Sequence, residues 1–261
     1  MNIVGSTSVG GSTVDRIMVQ GLDLSAEVIG QANLGDMLFL LVGRRLPTPD
    51  ESVVFNAVLV SIADHGITPN ALAARLTYTG APEALQGAVA AGLLGIGGVI
   101  LGVAEDTARL LQDGVGRAAA LDDAGLADAA EVILDGVPAG ARLPGIGHPI
   151  HKACDPRLEV LFTLARRHGA YGPHCRLFEL FGEQANKRLG TALPLNAAGA
   201  AGAILSDLGF SWKIVRGILL VARAAGMVGH LAEEQEHPIG WAVWREIEQR
   251  VTYTAPADQP T

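Results

Sequence analysis

The pattern of apolar and polar positions along the chain predicts a series of helices. Between residues 53 and 62, apolar side chains recur at spacings of three and four, which places them on one face of a helix. Thr48 or Asp50 suits the start of this helix as a cap, and Asp64-His65-Gly66 marks its end. Similar segments separated by Gly and Pro follow, and only "RIMVQGLDL", residues 16–24, has the pattern of a short hairpin. The sequence therefore predicts an all-α fold.

One uncharged stretch, "ALQGAVAAGLLGIGGVILGVA" at residues 84–104, is long enough to span a bilayer. Acidic Glu83 and Glu105 flank it, and neither a bias of Lys and Arg nor aromatic residues mark its ends. We therefore interpret it as a buried helix whose glycines let a neighbouring helix approach closely, for example from a second subunit. No membrane association is expected.

The composition limits which binding partners and which cellular compartment are expected. The 261 residues carry 19 Lys and Arg against 27 Asp and Glu, a net charge of −8 without any basic run, so nucleic acid is not an expected partner. Cys154 and Cys175 lack metal-ligand spacing, and we expect no metal site and a reducing compartment. The N-terminal residues lack the pattern of a secretory signal, which makes a cytoplasmic location the default expectation.

The segment "LPGIGHPIHKACDPR", residues 143–157, concentrates side chains that can carry chemistry. Gly145 and Gly147 allow backbone conformations that bring a ligand close to the chain, and His148 follows directly. An imidazole at that position can donate to, or accept from, a carbonyl oxygen, while Arg157 suits a two-point grip on a carboxylate. Spacing alone favours a plainer alternative, in which the histidine is bonded to the backbone and the arginine is a surface charge.

This segment resembles the citrate synthase superfamily, whose members carry the signature G-x-G-H-x-x-x-K-x-x-D-P-R. The matching residues are Gly145, Gly147, His148, Lys152, Asp155, Pro156 and Arg157. Two further segments, "LVSIADHGITPNALAAR" at 59–75 and "ILLVARAAGMVGHLAEE" at 218–234, resemble family segments in the same order. The short chain, with "LLGIGGVILG" in place of a histidine-bearing P-L-H-G-G-A-N loop, is more similar to citryl-CoA lyases and the lyase module of ATP-citrate lyase than to true synthases.

The resemblance implies a two-domain, all-helical homodimer that binds an acyl-CoA and a di- or tricarboxylate in a cleft. The large domain would comprise residues 1–110 and 211–261, with a small domain, residues 111–210, inserted between them. The residues that the resemblance assigns to the site are His148 and His65 on the keto-acid fragment, Arg157, Arg223, Arg250 and Asn196 for substrate binding, and Leu143, Gly145, Ile146, Gly147, Lys187 and Arg188 for coenzyme A. Arg250 resembles an arginine that reaches into the site of the other subunit.

The implied reaction cleaves citryl-CoA, or a related 3-hydroxy-3-carboxyacyl-CoA, to an acyl-CoA and a keto acid such as oxaloacetate, or runs in reverse. It needs a group that takes the hydroxyl proton and positive charge that holds the carboxylates, which His148 and the arginines would supply. It also needs an acid that protonates the enolate carbon. Family members supply this acid with the aspartate of an N-V-D-G motif, whereas "LNAAGAAG", residues 195–202, keeps Asn196 and has Ala198 at that position. The nearest carboxylates in sequence, Asp155 and Asp207, cannot be placed from sequence.

Two main hypotheses follow from this departure. The first is a coenzyme A-dependent carbon–carbon lyase in which another group replaces the acid. The second is a catalytically degenerate relative that binds acyl-CoA or a tricarboxylate as a subunit or regulator, and different chemistry on a similar acyl-CoA, such as thioester hydrolysis, is a weaker third. His230, on the apolar face of its helix, we interpret as a core histidine with its hydrogen bonds satisfied and not as a ligand.

Overall fold

A computed structural model describes the protein over residues 5–138, 140–148 and 150–254. Near the N-terminus, strands β1 (Gly10–Ser12), β2 (Ile17–Val19) and β3 (Leu22–Asp23) form an antiparallel sheet in that order. Gln20 and Gly21 have φ values of 49° and 85°, and this pair of positive values forms the tight turn between β2 and β3. The hairpin predicted at residues 16–24 is confirmed.

The rest of the fold is helical. A π-helical turn at Leu24–Val28 is followed, within the described residues, by helices α1 (Leu34–Gly43), α2 (Pro49–Ala63), α3 (Pro69–Gly80), α4 (Leu85–Leu94), α5 (Gly102–Arg117), α6 (Asp123–Asp135), α7 (Pro156–Arg167), α8 (Pro173–Leu189), α9 (Ala197–Asp207), α10 (Trp212–Glu236) and α11 (Gly240–Arg250). The prediction of a mostly helical protein is confirmed.

Local sequence explains where these helices begin and end. At the start of α2, the Thr48 hydroxyl accepts a hydrogen bond from the Glu51 N–H, and the Glu51 carboxylate accepts one from the Thr48 N–H. This helix ends at Ala63, directly before Asp64-His65-Gly66, as the sequence predicts. Asp155 caps α7 with a single contact, in which its carboxylate accepts a hydrogen bond from the Arg157 N–H in the first turn.

Helix α9 is buried along most of its length and packs against α5, α7 and α8. Its glycines let neighbouring elements approach closely. A Cβ on Gly202 would lie 2.4 Å from the carbonyl oxygen of Ala104, and one on Gly199 would lie 2.3 Å from the ring of Phe178. This core therefore holds the start of α9, where Asn196 and Ala198 lie, in a fixed position.

The prediction of a single buried helix over residues 84–104 is wrong. This stretch forms α4, an irregular segment and the start of α5, and Leu94 and Val99 are 86% and 83% exposed. Gly92 does permit a close approach, because a Cβ there would lie 2.7 Å from the sulfur of Met227. Glycine disfavours a continuous helix, so the same composition that suits close packing also suits the observed break after α4.

The chain divides into two compact units, each with its own core. The first comprises Met1–Ile62 and Gly98–Ala222, and the second comprises Ala63–Gly97 and Arg223–Thr261. In the second unit, α3, α4 and the C-terminal part of α10 surround a cluster made of Ala71, Ala74, Ala88, Met227 and Leu231. These boundaries differ from the predicted large domain, 1–110 and 211–261, and small domain, 111–210. The predicted domains and the predicted homodimer stay predictions.

Among the described residues, α10 alone is long and apolar enough to cross a membrane by length and composition. Its most apolar stretch of 18 residues is 44% buried within the protein. The core helix of a protein without any membrane span can have the same length and composition, so these properties do not distinguish a core helix from a membrane-spanning one.

Candidate active site

The glycine loop that precedes His148 is tied to the residues that lead into α9. Gly145 and Gly147 both have positive φ, 80° and 83°. The Gly147 N–H donates to the carbonyl of Pro194 at 2.6 Å, and the Asn196 N–H donates to the carbonyl of Gly145 at 2.9 Å. A Cβ on Gly145 would in addition lie 2.6 Å from the ring of Phe178, so glycine is required there for two independent reasons.

The backbone of this loop is largely satisfied within the protein. The Ile146 N–H donates to the carbonyl of Leu143 at 3.2 Å, and Ile146 also forms an isolated bridge with Leu195. Asn196 caps α9, since its side-chain oxygen accepts from the Gly199 N–H while its amide nitrogen donates to the carbonyl of Gly147 at 2.8 Å. Asn196 therefore joins the loop to the helix. The predictions that it contacts substrate, and that the loop backbone holds coenzyme A, stay predictions.

His148 is held by the backbone that follows it. Its Nδ1 accepts hydrogen bonds from the N–H groups of Ile150 and His151 at 3.1 and 2.9 Å. The rings of His148 and His151 lie with their centroids 4.4 Å apart. Because Nδ1 acts as the acceptor, the neutral ring carries its proton on Nε2. The neutral ring of His148 thus carries its N–H donor at Nε2, in a fixed orientation.

Arg157 forms a bidentate ion pair with Asp155 at the start of α7. The Nε and Nη2 atoms of Arg157 donate to the two oxygens of Asp155 at 3.0 and 2.9 Å, and Nη1 donates to the carbonyl of Ser61 at 3.2 Å. These contacts use three of the five N–H bonds of the guanidinium. The other two, on a side chain that is 24% exposed, are the ones that suit the predicted contact with a substrate carboxylate.

Asp155 is fully buried and ionised. One of its oxygens also accepts from the N–H of Ala197, the first residue of α9, at 2.8 Å. Burial by itself raises the pKa of this carboxyl, but the hydrogen bonds from Arg157 and from the two backbone N–H groups outweigh it and lower the pKa from 3.8 to about 2. Asp155 therefore fixes the start of α9 and does not supply a proton near neutral pH.

Ala198, the second residue of α9, leaves no carboxylate at the position where the family motif has aspartate. Asp207, the other candidate in the sequence, lies at the far end of this helix. Its oxygens accept from the N–H groups of Gly172, His174 and Cys175, and from the His174 ring at 2.8 Å. Both nearby carboxylates thus have structural roles.

The second unit contains His65 and Arg223. His65 lies in the turn after α2, where the Gly66 N–H donates to the carboxylate of Asp64 at 2.8 Å. Arg223 is 4% exposed and lies on α10 three residues before Gly226. A Cβ on Gly226 would lie 2.0 Å from the carbonyl oxygen of Ala63, so α10 touches the backbone of this turn directly. The structure brings the segments that carry His65 and Arg223 together.

His230 is confirmed as a core histidine with its hydrogen bonds satisfied. Its Nε2 lies 2.9 Å from the Asp64 carboxylate, and its Nδ1 lies 3.0 Å from the guanidinium of Arg75. The sequence-based prediction gave Arg75 no role, although Arg75 ends the family-like segment at 59–75. The sequence signal for a buried arginine was its position on the face of α3 that also carries the buried Ala71 and Ala74.

The remaining predicted residues lie at exposed helix ends. Arg188, in the last turn of α8, pairs with the carboxylates of Glu131 and Asp135 on α6, and the neighbouring Lys187 is exposed. Arg250, in the last turn of α11, is 76% exposed and pairs with Glu246 one turn earlier. Their predicted contacts with coenzyme A phosphates and with a second subunit stay predictions.

Comparisons with known proteins point to one family. A sequence model described as "Citrate synthase, C-terminal domain" matches residues 19–245. The chain is 28% identical to a probable ATP-citrate synthase of Dictyostelium discoideum, over 87% of this chain and 38% of that protein. It is 26% identical to a citrate synthase of Deinococcus radiodurans, over 82% and 55%. The chain thus spans between about two fifths and just over half of these curated relatives.

Two solved structures match over 99% of this chain. A citryl-CoA lyase from Hydrogenobacter thermophilus superposes with a TM-score of 0.86 and 30% identity, covering 99% of this chain and 98% of that one. A Methanosaeta concilii ATP citrate lyase in complex with (3S)-citryl-CoA gives a TM-score of 0.76 at 22% identity, over 99% and 43%. At that identity the second likeness concerns the fold alone.

Proposed function

This chain belongs to the citrate synthase family, and we propose that it is a coenzyme A-dependent carbon–carbon lyase. Its substrate is citryl-CoA or a related 3-hydroxy-3-carboxyacyl-CoA, and its products are an acyl-CoA and a keto acid such as oxaloacetate. Agreement over nearly the full length with a citryl-CoA lyase supports this choice over a synthase. A cytoplasmic homodimer without a metal is part of the proposal, and light scattering with cell fractionation tests the assembly and the location.

The orientation of His148 is the observation that carries the proposal. Two backbone N–H groups hold Nδ1 as an acceptor, so the neutral ring offers a donor at Nε2. A donor fixed in this way stabilises negative charge on an oxygen, either the keto oxygen during condensation or the alkoxide from which the carbon–carbon bond breaks. The sequence-based hypothesis gave His148 the hydroxyl proton, whereas this geometry supports stabilisation of the oxygen.

A catalytically degenerate binding protein is the second candidate. Ala198 favours it, because Asp155 and Asp207 are both committed to backbone N–H groups and neither replaces the missing acid. Such a protein would retain affinity for coenzyme A esters or tricarboxylates without turning them over.

The decisive experiment supplies citryl-CoA and longer acyl analogues and follows acyl-CoA by chromatography and oxaloacetate by coupled reduction. His148→Asn is the informative variant, because the Asn oxygen can accept the same backbone N–H groups while the Nε2 donor is lost. We expect kcat to fall about a hundred- to a thousandfold with coenzyme A affinity retained. His237→Asn, at an exposed position, is the matched control.

Unchanged turnover in His148→Asn would refute the role of His148. Absence of turnover for every ester, together with calorimetric binding of coenzyme A, would establish the degenerate binding protein instead.

A further inference from the structure

A continuous set of polar contacts in the second unit ends at the turn that carries His65. The carboxylate of Asp64, the residue before His65, receives the Gly66 N–H on one oxygen at 2.8 Å and contacts His230 Nε2 with the other at 2.9 Å. The other ring nitrogen of His230 lies 3.2 Å from Nε and 3.0 Å from Nη2 of Arg75. The order is therefore Arg75, His230, Asp64 and then the turn.

The direction of each hydrogen bond in this set is fixed by Arg75. A guanidinium keeps its proton and can only donate, so His230 Nδ1 accepts and the ring proton lies on Nε2. Nε2 then donates to Asp64. Burial raises the pKa of Asp64, but the hydrogen bonds from Gly66 and His230 outweigh it, and the net change is a decrease. The carboxylate that receives both donors is thus ionised.

Arg75 is itself immobilised. Its side chain is 1% exposed and pairs with Glu234, 2% exposed, at 2.8 Å, and with the outer Glu233. The second oxygen of Glu234 accepts from the N–H groups of Ile239 and Gly240 at the start of α11, at 2.9 and 2.7 Å. A buried charge held in this way has little freedom to reorient, because any displacement leaves a buried ion unpaired. The set therefore has one rigid end.

A second, independent contact holds the same turn. Gly226 lies one helical turn before His230 on α10, and its Cα packs against the backbone of Ala63 and Asp64 so closely that a Cβ would lie 2.0 Å from a carbonyl oxygen. Arg223, Gly226 and His230 fall at spacings of three and four and share one face of the helix. The turn is therefore held to the face of α10 that also carries Arg223.

We propose that His230 is a positioning residue: its ring, oriented by Arg75, donates from Nε2 to Asp64 and thereby sets the turn that presents His65 to the keto acid. This inference rests on the proposed function for the role of His65, and on the contacts above for the role of His230. It predicts that the donor at Nε2 matters for ligand binding, whereas the acceptor at Nδ1 serves only to orient the ring.

Two isosteric variants separate these roles. His230→Gln places an amide N–H near the original Nε2 and keeps the contact with Asp64. His230→Asn reaches only as far as Nδ1, and it keeps an acceptor for Arg75 while losing Asp64. Calorimetry with oxaloacetate should give near-normal affinity for His230→Gln and an affinity about 10- to 100-fold lower for His230→Asn. Thermal unfolding is measured alongside, and a similar midpoint is expected for the two variants.

Nuclear magnetic resonance of ¹⁵N-histidine provides a readout that needs no ligand. In the unsubstituted protein, His230 should carry its proton on Nε2, and His230→Asn should shift the His65 ring and Gly66 amide signals while His230→Gln leaves them in place. Equal losses of affinity in both variants, or a proton on His230 Nδ1, would overturn the proposal. If oxaloacetate does not bind the unsubstituted protein, the proposed function fails for this keto acid, and the resonance experiment still decides whether His230 positions the turn.

Discussion

Restoring a carboxylate at position 198 is the sharpest test of the chemistry, because Ala198 stands where the N-V-D-G motif of the family has its aspartate. Ala198 is the second residue of α9 and is partly exposed, so Ala198→Asp adds its side chain without entering the core. A carboxylate in the first turn of a helix is favoured by about 0.3–1 kcal/mol through the partial positive charge of the helix end. Asp155 lies nearby, but its charge is matched by Arg157. We therefore expect the variant to fold.

The expected gain in rate follows from the value of a general acid or base. Such a group contributes about a hundred- to ten-thousandfold, which corresponds to a barrier lower by about 3–5 kcal/mol. We expect the kcat for cleavage of citryl-CoA to rise by this factor in Ala198→Asp. Ala198→Asn has nearly the same size without an acid, and it should show no gain.

The assay follows acyl-CoA release under substrate saturation, with affinity for coenzyme A measured separately. If neither the unsubstituted protein nor Ala198→Asp cleaves citryl-CoA, although both fold and bind coenzyme A, carbon–carbon cleavage is the wrong chemistry. If the unsubstituted protein already turns over as fast as the Asp variant, another group supplies the proton.

Two further predictions concern stability. Because the pKa of Asp155 is lowered from 3.8 to about 2 on folding, the unfolded chain takes up this proton first, so about 2 kcal/mol of stability is present above pH 4 and is lost as the pH falls towards 2. Denaturant unfolding between pH 4 and pH 2 should show this decrease in the free energy of unfolding. Asp155→Asn should be less stable at every pH and should lack the part of the decrease that comes from Asp155. In α10, Gly226→Ala should lower the free energy of unfolding by about 1–3 kcal/mol, because the new methyl group clashes with the carbonyl oxygen of Ala63 at the end of α2. Gly229→Ala, with nothing within 4 Å of its new methyl group, should raise it by about 0.5–1 kcal/mol, and equal effects would contradict the close contact.

Features set by neighbouring residues were predictable from the sequence. The end of α2 before Asp64-His65-Gly66, the cap at Thr48 and the hairpin at residues 16–24 depend on interactions within a few positions, which propensity and spacing describe. The stretch at 84–104 was not predictable in the same way, because a glycine-rich apolar composition suits both a buried helix and a break between two helices.

Roles that depend on distant partners could not be read from the sequence. Asn196 donates to Gly147 across 49 positions, and Arg75 meets His230 across 155, and neither separation leaves a periodic signal. The family motif marks such residues as a set, but it does not say which of them contact a ligand and which hold the others in place.

This distinction changes what the retained motif residues imply about activity. Asp155 and Arg157 connect the carbonyl of Ser61 in α2 to the first N–H of α9, at Ala197, through one buried ion pair. Loss of Arg157 would leave the buried charge of Asp155 unpaired at a cost of about 3–5 kcal/mol, and loss of Asp155 would leave the Ala197 N–H without its acceptor. A relative without catalytic activity would therefore be under the same constraint to keep both. Retention of Arg157 therefore does not separate the lyase from the degenerate binding protein. Variants at His148 and at position 198 do separate them, because such variants change the turnover rate of a lyase, whereas a binding protein has no turnover to change.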